Sequence, residues 1–302
     1  MWFKNLVVYR LPADWPVTAA ELEEQLARRT LQPCGAFEMF SRGWVSPSGN
    51  DRLVHTVNNQ HLIALGVDQK LLPASIIRQV ATERAQALEQ EQGYPVGRRQ
   101  MRELKMRVTE ELRARALTRR HVTRAWIDPA NGWFAVDAAG VARAEELVET
   151  LRDTLGSFAV TLFETERSPQ SAMAAWLMLG DAPLRFSIDQ DLELQSADKT
   201  KATVRYVRHP LEIKEIQQHI SSGKYATRLG LTWNDRIAFV LTDKLQLKRL
   251  DFLEMAGGKA EGDDISPEEQ FDADFALMTG ELAQLLADLA QALGGEPAQK
   301  AA

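Results

Sequence analysis

Val122-Thr-Arg-Ala-Trp-Ile-Asp-Pro-Ala-Asn-Gly-Trp-Phe-Ala-Val136 decides how the rest of the chain is read. β-Branched and aromatic residues fill both arms, and Asp128-Pro129-Ala130-Asn131-Gly132 between them combines residues that set turn geometry at little steric cost. The stretch predicts an antiparallel hairpin of strands Val122 to Ile127 and Trp133 to Val136. Downstream, Val141 to Leu155 reads as a helix stopped by Gly156, and Phe158 to Phe163 as a strand. Upstream, two helices are predicted: one capped by Ser75 and running to about Gln92, the other from Gly97 to about Leu117. Gly93-Tyr94-Pro95 separates them, since glycine suits the position after a helix and proline cannot continue one. The pair has few bulky residues for its length, so it is expected to project from the body as a helical hairpin.

The flanks follow the same logic. Phe3 to Leu11 reads as a strand and Thr18 to Arg29 as an amphipathic helix with Ala19, Leu22 and Leu26 on one face. Strand Phe37 to Val45 precedes a hairpin, Leu53 to Val57 and His61 to Leu65, turning at Asn58-Asn59, which tolerate positive φ. Beyond residue 165 come a helix from Gln170 to Leu179, strands Phe186 to Leu192 and Ala202 to Val207, and a short helix from Pro210 to Ile220. A meander of Ala226 to Trp233, Ile237 to Leu241 and Leu245 to Phe252 is followed by an acidic, glycine-rich linker, Ala256 to Pro267. The final helix, Glu268 to Leu293, stops at Gly294-Gly295, and the tail from Gly294 to Ala302 is expected to be disordered. The predicted class is α+β: mixed or antiparallel sheets with flanking helices and one projecting hairpin. The expected division is a central domain from 1–72 and 121–165, a basic helical tip from 73–120 and a base domain from 166–302.

With 45% hydrophobic and 26% charged residues, the 302-residue chain is an ordinary globular protein able to bury a large core. Its single cysteine, Cys34, has no internal partner, and no signal peptide or bilayer-length apolar run is seen, so a reducing cytoplasm is expected. The net charge of −6 hides a strong segregation. Residues 251–302 hold twelve Asp/Glu against two Lys, which leaves +4 on the rest, and Arg98 to Arg124 alone holds ten Arg/Lys against three Glu. Where positive charge sits identifies a nucleic-acid protein better than its total does.

At 100° per residue, Arg98, Arg102, Lys105 and Arg113 fall within about 80° of helix arc, beside an apolar arc of Met101, Leu104, Val108 and Leu112. Together with Arg99, Arg115, Arg119, Arg120 and Arg124 they form a candidate phosphate-tracking surface, whose affinity would be sequence-independent and salt-sensitive. No helix-turn-helix, zinc-finger or zipper pattern accompanies them, so base readout is not expected. A second cationic cluster contains Lys199, Lys201, Arg205, Arg208, His209, Lys214 and Lys224. In the last helix Phe275, Met278, Leu282, Leu285, Leu289 and Ala292 repeat at heptad-like spacing, a pattern that serves core packing or self-association.

The constellations that catalysis needs are missing. His55, His61, His121, His209 and His219 lie far apart, without a second ligand at metal-binding spacing. No G-x-S-x-G elbow surrounds a serine, and Ser221-Ser222-Gly223-Lys224 lacks the first glycine and the closing Ser/Thr of a phosphate loop. No cofactor or metal is called for. An alternative reading, a metal-dependent nuclease, would draw on Asp189, Asp191, Glu212 and Lys214. A third, a protein–protein adaptor, would use the acidic last helix as its working surface.

Five strings carry a family likeness: Trp2-Phe3-Lys4-Asn5-Leu6, Pro33-Cys34-Gly35, Gly43-Trp44-Val45, Trp126-Ile127-Asp128 with Asn131-Gly132, and Phe271 to Leu282 with Gly294-Gly295. In order and spacing over nearly the whole chain they resemble the RdgC family of bacterial recombination-associated DNA-binding proteins. The 73–120 segment matches less well, with Arg where relatives often use Lys. The resemblance implies a non-enzymatic homodimer, closed into a ring by two separate contacts, with a basic hole around duplex DNA. It implies a nucleoid-associated protein that restrains RecA action in recombination and replication-fork repair. The bound duplex would meet Arg98, Arg99, Arg102, Lys105, Arg113, Arg115, Arg119, Arg120 and Arg124, with Lys201, Arg208, Lys214 and Lys224 secondary. Leu117, Phe275, Met278, Leu282, Leu285 and Leu289 are the candidates for the dimer contacts.

Overall fold

A computed structural model describes residues 2–12, 15–253 and 266–297. The expected linker from 256 to 267 lies almost wholly outside them, as does most of the C-terminal tail. Seven helices flank one open sheet of twelve strands among the described residues. The strands are β1 (Asn5–Arg10), β2 (Phe40–Val45), β3 (Val54–Val57), β4 (Gln60–Lys70), β5 (Thr118–Asp128), β6 (Trp133–Asp137) and β7 (Thr161–Leu162), then β8 (Phe186–Ser196), β9 (Thr203–Tyr206), β10 (Lys224–Trp233), β11 (Ile237–Thr242) and β12 (Leu247–Phe252). The helices are α1 (Ala19–Ala27), α2 (Ala74–Gln92), α3 (Arg98–Arg115), α4 (Val141–Leu155), α5 (Pro169–Leu179), α6 (Ile213–Ser221) and α7 (Pro267–Ala292).

The sheet runs β2-β4-β5-β6-β1-β12-β11-β10-β8-β9, with β3 added to β4 and β7 to β1, and every ladder is antiparallel. The β5–β6 hairpin forms as its sequence predicts: Asp128 is fully buried and accepts hydrogen bonds from the Asn131 backbone and side-chain amides at 3.1 and 2.7 Å. Asn58 and Asn59 turn the β3–β4 hairpin at φ of 51° and 59°. β1 pairs with β12 at Asn5–Lys248 and Leu6–Leu247, so the sheet passes without a break from the first half of the chain into residues 166–302.

Period-two alternation supplies the two cores. Leu6 and Val8 of β1, Leu62, Trp126, Trp133 and Ala135 face one side, where α5, α6 and α7 cover them. Val7 and Tyr9, Ile63, Leu65, Ala125, Ile127, Phe134 and Val136 face the other, under α1 and α4. Gly43 is fixed by crowding: a Cβ there would meet the backbone of Leu31 at 2.4 Å, where residues 30–31 cross β2. α1 is held by a complete capping box between Thr18 and Glu21.

Several boundaries differ from expectation. β4 continues five residues past Leu65, and β5 begins at Thr118, because the two strands zip together over Lys70–Thr118 to His61–Ile127. α2 follows Pro73 directly, so Ser75 lies inside its first turn and caps nothing. The strand expected over 158–163 reduces to Thr161–Leu162, since Phe158 and Phe163 plug opposite cores. α6 starts at Ile213 rather than Pro210.

Phe275, Met278, Leu282, Leu285 and Leu289 have no exposure at all in a single chain. They pack on Phe3, Leu6, Leu62, Trp126 and the β8–β12 interior. This corrects the assignment of the α7 stripe to a dimer contact: the stripe is spent on this chain's own core, which no second copy can reach without unfolding it. Among the described residues no helix is long and apolar enough to cross a membrane.

Candidate nucleic-acid interface

α2 and α3 are chiefly each other's neighbours, with only Ala81, Ala85 and Val108 fully buried between them. Gly93, in the left-handed region at φ 77°, closes α2, and an Arg84–Glu111 ion pair at 2.8 Å clasps the two helices. The rest of α3 is free to carry charge. Arg98, Arg102 and Lys105 are exposed on one flank. Neither they nor Arg107, Arg115 and Arg119 have a carboxylate partner among the described residues. Arg99 is exposed but paired to Glu103 one turn on.

Arg113, Arg120 and Arg124 belong to a different class and correct the expectation of one continuous charged stripe. Arg113 is half-buried: its Nη1 donates to the Phe37 carbonyl at 3.1 Å, and its Nε is buried without an acceptor. Arg120 makes a two-pronged bond to Asp68, its cross-strand neighbour, at 2.8 Å on both arms. The guanidinium holds the Asp68 carboxyl below the usual carboxylate range. Arg124 donates to the Pro47 carbonyl at 3.3 Å. Because residues 118–128 form a strand, Arg119 also points to the opposite face from Arg120 and Arg124.

In the second cluster, Lys201 and Arg208 are exposed on left-handed loop positions, φ 48° and 50°, and Lys214 is exposed on the first turn of α6. Lys224 is half-buried, its Nζ near His219 Nδ1 at 3.2 Å and Ser222 Oγ at 3.3 Å. Arg205 is committed to Glu193 at 2.9 Å. Of the residues offered for a nuclease, Asp191 accepts from the Arg208 backbone and from Arg249 at 3.0 and 3.1 Å. Glu212 precedes α6 and Lys214 lies on it, not on a strand. No three of His, Cys, Asp and Glu gather as metal ligands among the described residues.

An apolar surface lies where the hairpin joins the sheet. Phe37 and Leu117 are 83% and 78% exposed, and Leu71 is half exposed. The Leu71 N–H donates to the Leu117 carbonyl at 2.8 Å, and that of Lys70 to Met39 at 2.9 Å, so β4 ends between the two loops. Buried Lys70 sends its ammonium to the Gly35 and Ala36 carbonyls at 2.7 and 3.0 Å. With Arg113 on the Phe37 carbonyl, two cations pin the loop that displays the phenyl ring. Leu117 was legible as an apolar residue between arginines; Phe37 was missed, because its strand-like surroundings predicted an ordinary strand residue.

The site and fold define a class: an antiparallel α+β sheet protein bearing a self-contained helical hairpin with unpaired surface cations. Comparison with known proteins narrows it. A family model described as "Putative exonuclease, RdgC" matches residues 1–296. The Recombination-associated protein RdgC of Dechloromonas aromatica (strain RCB) is 53% identical over 299 residues, 98% of each chain. Its counterpart in Cupriavidus pinatubonensis (strain JMP 134 / LMG 1197) is 49% identical over 296 residues, 98% of this chain and 99% of the relative. That of Herminiimonas arsenicoxydans is 47% identical over 300 residues, 99% and 100% of the two chains. This chain belongs to the RdgC family.

Proposed function

We propose that this protein is a non-enzymatic, sequence-independent binder of double-stranded DNA, in which two copies close a ring around the duplex. Held on nucleoid DNA, it restrains RecA-dependent recombination by occupying the substrate, and it acts in replication-fork repair in the same way. The observation that carries the reading is the row Arg98, Arg102 and Lys105, exposed and without a carboxylate partner among the described residues, on a helix that contributes little to the core. Such cations release condensed counterions when they meet phosphates, which gives affinity without base readout. Self-association rests on Phe37 and Leu117, large apolar side chains in the open whose backbone carbonyls are tied down by Arg113 and by the Leu71 N–H. An exposed anchor on backbone that is already held loses less entropy on docking than one on a free loop.

Titration of the full chain against duplexes of unrelated sequence at rising salt tests this. Equal affinities that fall steeply with salt are expected; a flat salt dependence overturns it. In parallel, linear duplex incubated with the protein and Mg²⁺ or Mn²⁺ is expected to keep its length, and progressive shortening from the ends would establish the exonuclease reading instead.

A further inference from the structure

The α5–α7 face of β8–β12 is covered, but among the described residues no helix covers the opposite face, and on it a cavity of about 230 Å³ opens to solvent. Its walls come from β8, β9, β10 and β12, from Asn5 of β1, and from Ala139, just before α4. Four cations line it, Arg205, Arg228, Lys248 and Arg249, against two carboxylates, Asp191 and Glu193. Both carboxylates are already engaged: Asp191 by Arg249 and the Arg208 N–H, Glu193 by Thr227 and Arg205. Arg228 reaches Glu193 only at 3.9 Å, and the Lys248 ammonium has a neutral partner, the Ala139 carbonyl at 2.8 Å. Burial, then repulsion from Arg228 and Lys244, pushes the Lys248 pKa below its usual range.

The surroundings are cationic too. Gly140 caps α4 without a side-chain acceptor, so the positive end of a fifteen-residue helix abuts the cavity. Across α4, on the same sheet face, a second shallow cavity holds Arg42, His121 and Arg143 with Glu146. Alternation along β5 turns Arg119 to this face as well.

We propose that the Arg228–Lys248 cavity binds a phosphate group, and that in the protein's work this is a backbone phosphate of duplex DNA laid across the α4 side of the sheet. The assignment rests on the duplex-binding reading above and extends it to residues well outside the hairpin. The anion would give Lys248 a counter-charge in place of a neutral carbonyl, and Arg228 a closer one than Glu193 at 3.9 Å, with charge-assisted bonds to both.

The test compares the wild-type full chain with R228Q/K248Q and with the charge-conserving R228K/K248R. If the site holds a DNA phosphate, R228Q/K248Q loses about tenfold or more in duplex affinity, since hydrogen bonds between charged groups are the strong ones. Its plot of log affinity against log salt becomes shallower by about 2 units, one per lost contact, and R228K/K248R restores most of both. An unchanged melting temperature confirms that the variant folds. A wild type that binds duplex, with R228Q/K248Q matching it in affinity and slope, overturns the assignment and leaves the hairpin reading standing. Inorganic phosphate followed by phosphorus NMR separates the sources: phosphate binding lost in R228Q/K248Q while duplex binding stays intact gives the cavity to a free phosphate compound and also overturns it. A wild type that binds no duplex removes the underlying reading and this assignment with it.

Discussion

α3 and α7 are both long helices, and they have opposite relations to the core. α7 buries Phe275, Met278, Leu282, Leu285, Leu286 and Leu289 against the sheet, whereas α3 buries only Val108. Charge follows the same division: α3 displays Arg98, Arg102 and Lys105 without a carboxylate partner among the described residues, whereas α7 exposes Glu268 and Glu269 in its first turn and buries Glu281, paired to Arg236. The difference teaches that an element spared from the core is the one free to hold uncompensated charge. Stability and binding are thereby separated along the chain, and substitutions should move one without the other.

The strongest blow to this separation is aimed at α7. Leu282→Ala removes a fully buried side chain and is expected to cost about 2–5 kcal/mol of unfolding free energy by denaturant titration. The duplex affinity of the folded fraction should stay at the wild-type value; a parallel loss of affinity would show that α7 takes part in binding. A smaller effect is expected at the junction. Phe37→Ser with Leu117→Ser should leave stability nearly intact and weaken self-association by about 2 kcal/mol or more, roughly 30-fold, in sedimentation equilibrium. Unchanged association would move the contact elsewhere.

A pH effect should be smaller still, and lie in the sheet away from α3. Burial pushes the imidazoles of His55 and His61 below their ordinary pKa near 6.5, with Asp272, 3.2 Å from His55, pulling the other way. Both rings are then neutral in the folded chain, while the unfolded chain takes up protons first as the solution is acidified. Their stabilisation is complete above about pH 6.5 and is lost as pH falls through the lower folded values. His55 stands edge-on to Phe271 and Phe275 of α7, so acid loosens that docking. Melting temperature should drop between about pH 7.5 and 5.5, and less so in H55Q/H61Q. Amide exchange in α3 should not respond to the same change; faster exchange there would couple the two regions.

Much of this contrast is visible in the sequence, and the exceptions have local causes. α4 forms over Val141–Leu155 as its stop at Gly156 predicts, and the scarcity of large residues over 73–120 matches a hairpin that packs on itself. Gly66-Val67-Asp68-Gln69-Lys70 does not read as strand, since glycine and charge are poor strand formers. It becomes strand because β5 pairs with it, Arg120 neutralises Asp68, and two carbonyls receive Lys70. The same pairing converts Arg119 and Arg120 from neighbours on a charged stripe into residues on opposite faces. The α7 stripe has one spacing whether its partner is a sheet or a second copy; the tertiary fold alone chooses between them. Arg228 and Lys248 escaped notice because they lie twenty residues apart in sequence and meet through β11.

The most direct test is the duplex affinity of R98E/R102E/K105E as a function of salt, measured beside its unfolding free energy. Losing three phosphate contacts should flatten the plot of log affinity against log salt by about 3 units and lower affinity by on the order of a hundredfold or more. Surface substitutions of this kind should shift stability by no more than about 0.5 kcal/mol. A variant that binds duplex with wild-type affinity and wild-type slope would contradict the assignment of DNA binding to the helical hairpin.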